Sequence, residues 1–143
     1  MYAVLDTCTL VSGLRSRAGA SHQVLREILS GRIRIALSVA LALEYEAVCM
    51  RPGIVPSLTP LQITAVVDSL CRLGDQQKIF YTWRPFLPDA DDDMVLELAV
   101  AAEASVIITH NGRDFRGSES YGIRAYLLID PGECHGFLKL RFA

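Results

Sequence analysis

Residues 89–110 read DADDDMVLELAVAAEASVIITH: an acidic run, an apolar helix-like segment and a strand-like segment. The run places four carboxylates within five residues. Acids this close repel one another, so a fold that gathers several of them usually recruits a divalent cation. The alternative is a solvated helix N-terminus, where Asp is a good cap and favours the helix dipole. Capping requires one or two acids rather than four, so further acids near the run would favour a metal site.

Helical spacing distinguishes the acids within this run. Asp93 heads the inner apolar stripe of the helix predicted over 94–104, and Asp92 shares part of that side. Asp89 and Asp91 are expected in the preceding loop. The spacing therefore predicts that Asp93, with Asp92 beside it, faces the interior.

The length and composition indicate the class of protein. The chain has 143 residues, of which 51% are hydrophobic and 21% charged, which predicts one compact domain over residues 1–143. Its apolar stretches are well short of the roughly 20 residues that a membrane helix needs. The first residues run directly into a strand with no basic region or cleavage site, so no membrane association and a cytoplasmic location are expected. The four cysteines include no C-x-x-C pair, which argues against a structural zinc site.

The charge distribution restricts how the chain could bind nucleic acid. A formal net charge of −2 argues against broad, non-specific binding. Of the 14 basic residues, 12 are Arg, the residue suited to bidentate phosphate contact. Arg15 and Arg17 cluster in sequence with His22 and Arg26, which predicts either a phosphate-binding face or scattered surface charge.

The period of the apolar residues changes repeatedly, which predicts alternating strands and helices. Ser21, Ser38 and Thr59 are the predicted starts of three helices, and Gly31 ends the first of them. Strands are expected at 2–5, 33–37, 77–83, 105–109 and 124–129, and helices at 7–14, 21–29, 38–50, 59–73 and 94–104. Such alternation implies a mostly parallel sheet covered on both faces, an α/β sandwich. Ligand sites of these sheets lie beyond the carboxyl ends of the strands.

Two further acids interrupt apolar segments. Asp6 closes the first strand, where a buried carboxylate needs a cation, a hydrogen-bond donor or water; it could also cap the helix that begins at Thr7. Glu44 falls on the apolar stripe of its helix, whereas Glu46 faces elsewhere. Glu44 is therefore either at the rim of the core or directed into a site. The carboxyl edge of the sheet can bring Asp6, the acidic run and the segment after Thr109 into one crevice.

Four motifs occur along the chain in a fixed order. They are Val4-Leu5-Asp6-Thr7, Glu44 before Tyr45, Asp93 at the head of an alanine-rich helix, and Ile107-Ile108-Thr109-His110-Asn111 followed by Arg113-Asp114-Phe115. This order, spanning nearly the whole chain, resembles the PIN domain family. Arg51-Pro52 after the Glu44 helix resembles the branch of VapC-like ribonucleases, the toxins of toxin–antitoxin systems. The resemblance implies a three-layer α/β/α sandwich with a mostly parallel central sheet.

The resemblance also implies a function: a metal-dependent endoribonuclease that hydrolyses RNA phosphodiester bonds with Mg²⁺ or Mn²⁺. Asp6, Glu44 and Asp93 match the first three acids of the family. The fourth ligand is Asp114 or Asn111; Asp114 is favoured, with Asn111 as a polar neighbour or a direct ligand. Hard cations of this kind prefer carboxylate oxygens and retain several waters, which agrees with the assignment.

The remaining expectations concern supporting groups and partners. Asp92 and Thr109 are expected to support the acids, and Arg15, Arg17 and Arg113 to contact the RNA substrate. By resemblance, a small antitoxin protein would block the acidic site, and the protein would form a homodimer.

Two positions depart from the family pattern. Cys8 stands where many relatives carry Asn two residues after the first Asp, so a hydrogen bond that supports Asp6 is expected to be lost. Glu103 stands where relatives often end the acidic helix with Gly. Cys8 and the ambiguity between Asn111 and Asp114 leave open a second hypothesis, a catalytically degenerate PIN fold that binds RNA or protein. A phosphotransferase of the dehalogenase type would need Asp in place of Cys8.

Overall fold

The computed structural model describes residues 2–79, 90–104, 106–110 and 128–129. At 90–93 and 128–129 only the backbone is described. In the described residues, five parallel strands form the centre of the fold. The strands are β1 (Tyr2–Leu5), β2 (Arg34–Leu37), β3 (Asp75–Gln76), β4 (Val106–Ile108) and β5 (Leu128–Ile129). Their order across the sheet is β3-β2-β1-β4-β5. The helices are α1 (Thr7–Arg15), α2 (Ala20–Leu29), α3 (Val39–Cys49), α4 (Pro60–Leu73) and α5 (Ala90–Ala101).

The central strand, β1, is apolar on both faces. Ala3, Val4 and Leu5 are completely buried, as expected for a parallel strand covered by helices on both sides. β1 pairs with β2 on one side and with β4 on the other, so that Ala3 is aligned with both Ile35 and Val106. The predicted three-layer α/β/α sandwich with a parallel central sheet is confirmed. The direction of strand addition changes between β1 and β4, where sheets of this type form a crevice at the carboxyl edge.

The described helices are short, and two of them begin at the predicted caps. The Ser38 side chain accepts a hydrogen bond from the Leu41 N–H at 3.1 Å at the start of α3. Thr59 and Gln62 form a reciprocal capping box at the start of α4, with Pro60 in its first turn. α4 is 14 residues long, and none of the described helices has the length and apolar character needed to cross a membrane.

The predicted helix cap at Ser21 is wrong. α2 begins one residue earlier, with Gly19 at the cap position. Ser21 lies inside the first turn and is buried, and its hydroxyl forms a hydrogen bond with the ring of His110. At the other end of α2, Ser30 is the C-cap residue. Gly31 follows it with φ of +83°, the left-handed conformation that favours glycine.

Within the described residues, the strand predicted over 77–83 is found earlier in the chain, as β3. β3 precedes this segment and pairs with the last two residues of β2. The Gln77 N–H still donates to the Leu37 carbonyl at 2.7 Å, but pairing stops there because β2 itself ends at Leu37. The parts of the prediction at 80–83 and at 124–127 lie outside the described residues.

The acidic helix begins and ends earlier than predicted. α5 includes Asp91, which therefore lies in its first turn and not in the preceding loop. Acids at a helix N-terminus are stabilised by the helix dipole, which accounts for the earlier start. Glu103 follows the helix with φ of +53°, a conformation that Gly adopts without strain and Glu does not. Asp89 lies outside the described residues.

Tyr45 joins α3 to the end of the central strand. Its side chain is completely buried, and its hydroxyl donates a hydrogen bond to the backbone carbonyl of Leu5. Buried tyrosines usually find such a partner, because a hydroxyl removed from water without one is costly. The hydrogen bond therefore fixes α3, which carries Glu44, against the strand that ends at Asp6.

Removing this hydroxyl should destabilise the fold. We expect Tyr45→Phe to lower the free energy of unfolding by about 1–3 kcal/mol, the usual cost of leaving a buried carbonyl without its donor. Tyr2→Phe is the matched control, because Tyr2 is half-buried and its hydroxyl accepts a longer, 3.3 Å hydrogen bond from Gln77 Nε2. Urea unfolding followed by circular dichroism measures both variants. Equal losses in the two would contradict the role assigned to Tyr45.

Candidate functional site

The backbone of Asp6 joins the carboxyl ends of the two central strands. Its N–H donates to the Ile108 carbonyl at 3.0 Å, and its own carbonyl accepts from the N–H groups of Thr9 and Leu10 in α1. Asp6 occupies the N-cap position of α1, but its side chain makes no capping hydrogen bond. The interpretation of the Asp6 carboxylate as a simple helix cap is therefore wrong.

The carboxylate of Asp6 is almost buried, and one of its oxygens is held by two donors. Asp6 is only 6% exposed. Its Oδ2 accepts from Thr109 Oγ1 at 2.6 Å and from Cys8 Sγ at 3.2 Å. The expected support from Thr109 thus takes the form of a direct hydrogen bond. The expected loss of a hydrogen bond at Cys8 is wrong, because the thiol donates in place of an amide.

The other oxygen of this carboxylate, Asp6 Oδ1, has no hydrogen-bond donor within the described part of the chain. Burying a charged oxygen without a partner is costly, so such an atom requires a cation or an ordered water. Mg²⁺ and Mn²⁺ prefer carboxylate oxygens. The arrangement at Asp6 therefore fits the kind of metal that the resemblance implies.

Glu44 reaches the same end of the sheet from α3. The side chain of Glu44 is half-buried, and its Oε2 accepts a 2.5 Å hydrogen bond from Thr7 Oγ1. Thr7 directly follows Asp6 in the chain. Burial raises the pKa of the Tyr45 hydroxyl well above its ordinary value, and the negative charges of Asp6 and Glu44 raise it further. The hydrogen bonds from Thr7 to Glu44 and from Tyr45 to Leu5 thus place these two predicted acids at the same end of the sheet.

The Cys8 thiol is held in its protonated form. Burial raises its pKa, and the nearby charge of Asp6 raises it further, against weaker opposing hydrogen bonds from the His110 backbone and the Thr109 hydroxyl. A thiol with a raised pKa keeps its proton at neutral pH and can act as a donor. This agrees with its hydrogen bond to Asp6.

The other predicted ligands are described in part or not at all. The backbones of Asp92 and Asp93 lie in the first turn of α5, which packs against β1 and β4. Because α5 leads by a short connection into β4, its N-terminus lies toward the carboxyl edge of the sheet. The side chains of Asp92 and Asp93, and all of Asn111, Arg113 and Asp114, lie outside what is described. The described side chains alone contain no group of three metal-ligating residues.

Two of the predicted substrate-contacting residues lie on α1 and just after it. Arg15, in the last turn of α1, and Arg17 are both exposed. Arg17 lies beside an apolar cleft of about 330 Å³ between α1, α2 and α4, together with His22 and Arg26. We call this the α1–α2–α4 cleft; its apolar lining includes Leu14, Leu25, Leu29, Val66 and Leu70.

Two contacts near the acids were not predicted from the sequence. Thr7 fixes Glu44, and the only local signal for it is a hydroxyl residue beside an acid at the end of a strand. Ser21 holds His110 Nε2 at 2.8 Å, just after Thr109. Those partners are 89 residues apart, so no sequence signal links them.

Comparison with known protein families gives a match over most of the chain. The PIN domain family matches residues 2–113, which is more than half of the chain. This segment runs from β1 to just beyond β4 and contains Asp6, Glu44, Asp93 and Asn111, whereas Asp114 lies one residue beyond it. Among curated proteins and among solved structures, none matches the chain.

The Thr109 hydroxyl should be a strong stabilising contact because its acceptor is charged. We expect Thr109→Val, which is nearly isosteric, to lower the free energy of unfolding by about 1.5–3 kcal/mol, as for hydrogen bonds to charged groups. Thermal or urea unfolding of the purified variant measures the loss.

Thr9→Val is the matched control for this prediction. Thr9 is also completely buried, but its hydroxyl donates to the neutral Ile108 carbonyl at 3.2 Å, and that carbonyl keeps the Asp6 N–H as a second donor. We expect a loss of about 0.5–1.5 kcal/mol. A larger loss in Thr9→Val than in Thr109→Val would contradict the assignment of a charged, buried acceptor at Asp6.

Proposed function

The chain belongs to the PIN domain family, and from this membership we propose that it is a metal-dependent endoribonuclease that hydrolyses RNA phosphodiester bonds. PIN domains are generally nucleases, and divalent metals are their typical cofactors. The proposed site consists of Asp6, Glu44, Asp93 and Asp114, with Asn111 as the alternative fourth ligand.

One observation carries this proposal: within the described part of the chain, the almost buried carboxylate of Asp6 has hydrogen-bond donors at one oxygen and none at the other. Oδ2 has two donors, whereas Oδ1 has none in the described residues. A carboxylate with a purely structural role would be expected to have donors at both oxygens, because each is costly to bury alone. The one-sided arrangement supports a cation at Oδ1.

The other residues of the proposed site would contact the metal, its waters or the RNA. Mg²⁺ usually takes only one or two carboxylates directly, so the other acids would orient its waters or hold a second ion. Thr7 fixes one oxygen of Glu44 by its 2.5 Å hydrogen bond, so this acid is held in place beside Asp6. When bound, the metal would supply a more acidic water and charge stabilisation at the phosphate oxygens. Arg15, Arg17 and Arg113 are the proposed contacts to the RNA backbone, since Arg suits phosphate.

The hypothesis of a degenerate, non-catalytic PIN fold is weaker than the sequence suggested. Its main support was the ambiguity between Asn111 and Asp114, together with the replacement at Cys8, which was expected to leave Asp6 without a donor. The thiol of Cys8 in fact donates to Asp6 Oδ2. Activity is therefore the better supported alternative.

The nuclease hypothesis makes a direct prediction. Cleavage of RNA should require Mg²⁺ or Mn²⁺ and stop with EDTA. We expect Asp6→Asn and Asp93→Asn each to reduce it by more than about 100-fold, because even the outer partners of metal ligands are worth about 10–100-fold. Asp68→Asn is the control, because Asp68 is exposed on α4. A fluorescently labelled RNA resolved on denaturing gels reports cleavage. Normal cleavage by both site variants would rule the hypothesis out.

We also propose that the enzyme is the toxin of a toxin–antitoxin system, acting in the cytoplasm as a homodimer. The motif order and Arg51-Pro52 support this branch of the family. The α1–α2–α4 cleft supports a small protein partner, because Arg17 and Arg26 beside it form no ion pair within the described part of the chain. An acidic amphipathic segment of an antitoxin would cover the apolar lining and pair with these two arginines.

Growth assays test the toxin role. Expression of the protein should arrest bacterial growth, Asp6→Asn should abolish the arrest, and co-expression of a small protein encoded in the neighbouring reading frame should restore growth. The double variant Arg17→Glu, Arg26→Glu should bind that protein at least about tenfold more weakly, since placing like charges opposite an acidic segment costs more than about 1.4 kcal/mol. Arg51→Glu, an exposed residue away from the cleft, is the control. RNA cleavage without any effect on growth would overturn the toxin assignment and leave the nuclease assignment standing.

A further inference from the structure

The hydrogen bonds around Cys8 have a fixed direction. A carboxylate can only accept and a backbone N–H can only donate, so the sulfur must donate to Asp6 and accept from His110. The hydroxyl of Thr109 has one proton, which it also gives to Asp6. Cys8 Sγ also lies 3.7 Å from Thr109 Oγ1, farther than either atom lies from Asp6 Oδ2.

Both donated protons arrive at the same oxygen, Asp6 Oδ2. Cys8 approaches it from the first turn of α1, and Thr109 from the segment that follows β4. The last torsion of an Asp side chain is broad and roughly two-fold, so a carboxylate held by one donor can exchange its two oxygens with little cost. Two donors from different elements, both on Oδ2, oppose this rotation.

We propose that Cys8 is a positioning residue for the metal site, whose thiol acts with Thr109 to lock Asp6 Oδ2 and so present Oδ1 to the cation. This inference rests on the proposed metal-dependent function. A locked carboxylate loses less conformational freedom when the metal binds, so the thiol raises metal affinity without touching the metal. A thiol is a weak donor, so it holds the carboxylate while withdrawing little of its negative charge.

The experiment compares three variants by Mn²⁺ binding and by Mn²⁺-dependent RNA cleavage. Cys8→Ala removes the donor, Cys8→Ser keeps one, and Cys71→Ala changes a half-buried cysteine on α4 as the matched control. We expect Cys8→Ala to raise the Kd for Mn²⁺ by about tenfold, the lower end of effects for groups that support metal ligands. The other two variants should stay close to the wild-type Kd. Titration calorimetry, or the electron paramagnetic resonance signal of free Mn²⁺, measures binding.

Cleavage assays separate positioning from a merely structural role. At saturating Mn²⁺, Cys8→Ala should recover nearly the wild-type kcat, because the metal itself then holds the carboxylate. A lower melting temperature with an unchanged Kd for Mn²⁺ would overturn the proposal. Cys8→Val fills a similar volume without a donor and replaces Cys8→Ala if that variant does not fold.

The same measurements distinguish this proposal from the function on which it rests. A wild-type protein that binds Mn²⁺ but cleaves no RNA would overturn the nuclease assignment, and the Kd comparison would still decide the role of Cys8. An unchanged Kd in an active Cys8→Ala variant would overturn only the positioning role. A wild-type protein without measurable Mn²⁺ affinity would overturn the positioning role as well.

Discussion

Burial of the Asp6 carboxylate is the constraint on which the rest of the site depends. A carboxylate that has lost most of its water must be surrounded by donors or by a cation. The groups next to Asp6 meet this requirement on one side: a hydroxyl from the segment after β4 and a thiol from α1 reach the same oxygen. The backbone N–H of Asp6 also closes the pairing of β1 with β4 through Ile108. One acidic residue thus joins two strands and a helix, and among the described residues only one of its two carboxylate oxygens has donors.

The parallel sheet explains how distant segments reach this point. Asp6 and Thr109 are 103 residues apart, yet they are neighbours because β1 and β4 are adjacent and end at the same edge. β2 ends at that edge as well and leads through Ser38 into α3, which carries Glu44. Each strand needs only to be short and apolar, and its following residue then falls at the site. The proposed acids therefore lie directly after a strand (Asp6), in the first turn of a helix (Asp93) or on a helix that follows a strand (Glu44).

How much could be predicted from the sequence depends on how local each signal is. Asp6 and Glu44 were found because each interrupts an apolar pattern, and Ser38 and Thr59 because helix capping is decided within four residues. Ser21 has the same local preference for the N-cap position of a helix. Its hydroxyl instead forms a hydrogen bond with the His110 ring, and Gly19 is the N-cap residue of α2. The Thr7–Glu44 contact and the Cys8 thiol bond could not be predicted, because they depend on helix placement and on one rotamer. The assignment of Asp6, Glu44, Asp93 and Asp114 as ligands stays a prediction, as does the role of the arginines.

The hydrogen bond between Tyr45 and Leu5 has a geometric consequence for the two acids. Leu5 is the covalent neighbour of Asp6, and Tyr45 is the covalent neighbour of Glu44, so this bond links the residues immediately beside each carboxylate. An aromatic ring has no internal torsion that could lengthen or shorten it. The ring of Tyr45 therefore acts as a rigid spacer that sets the gap between the main chains carrying the two acids, and a cation between them would meet a separation fixed before it arrives.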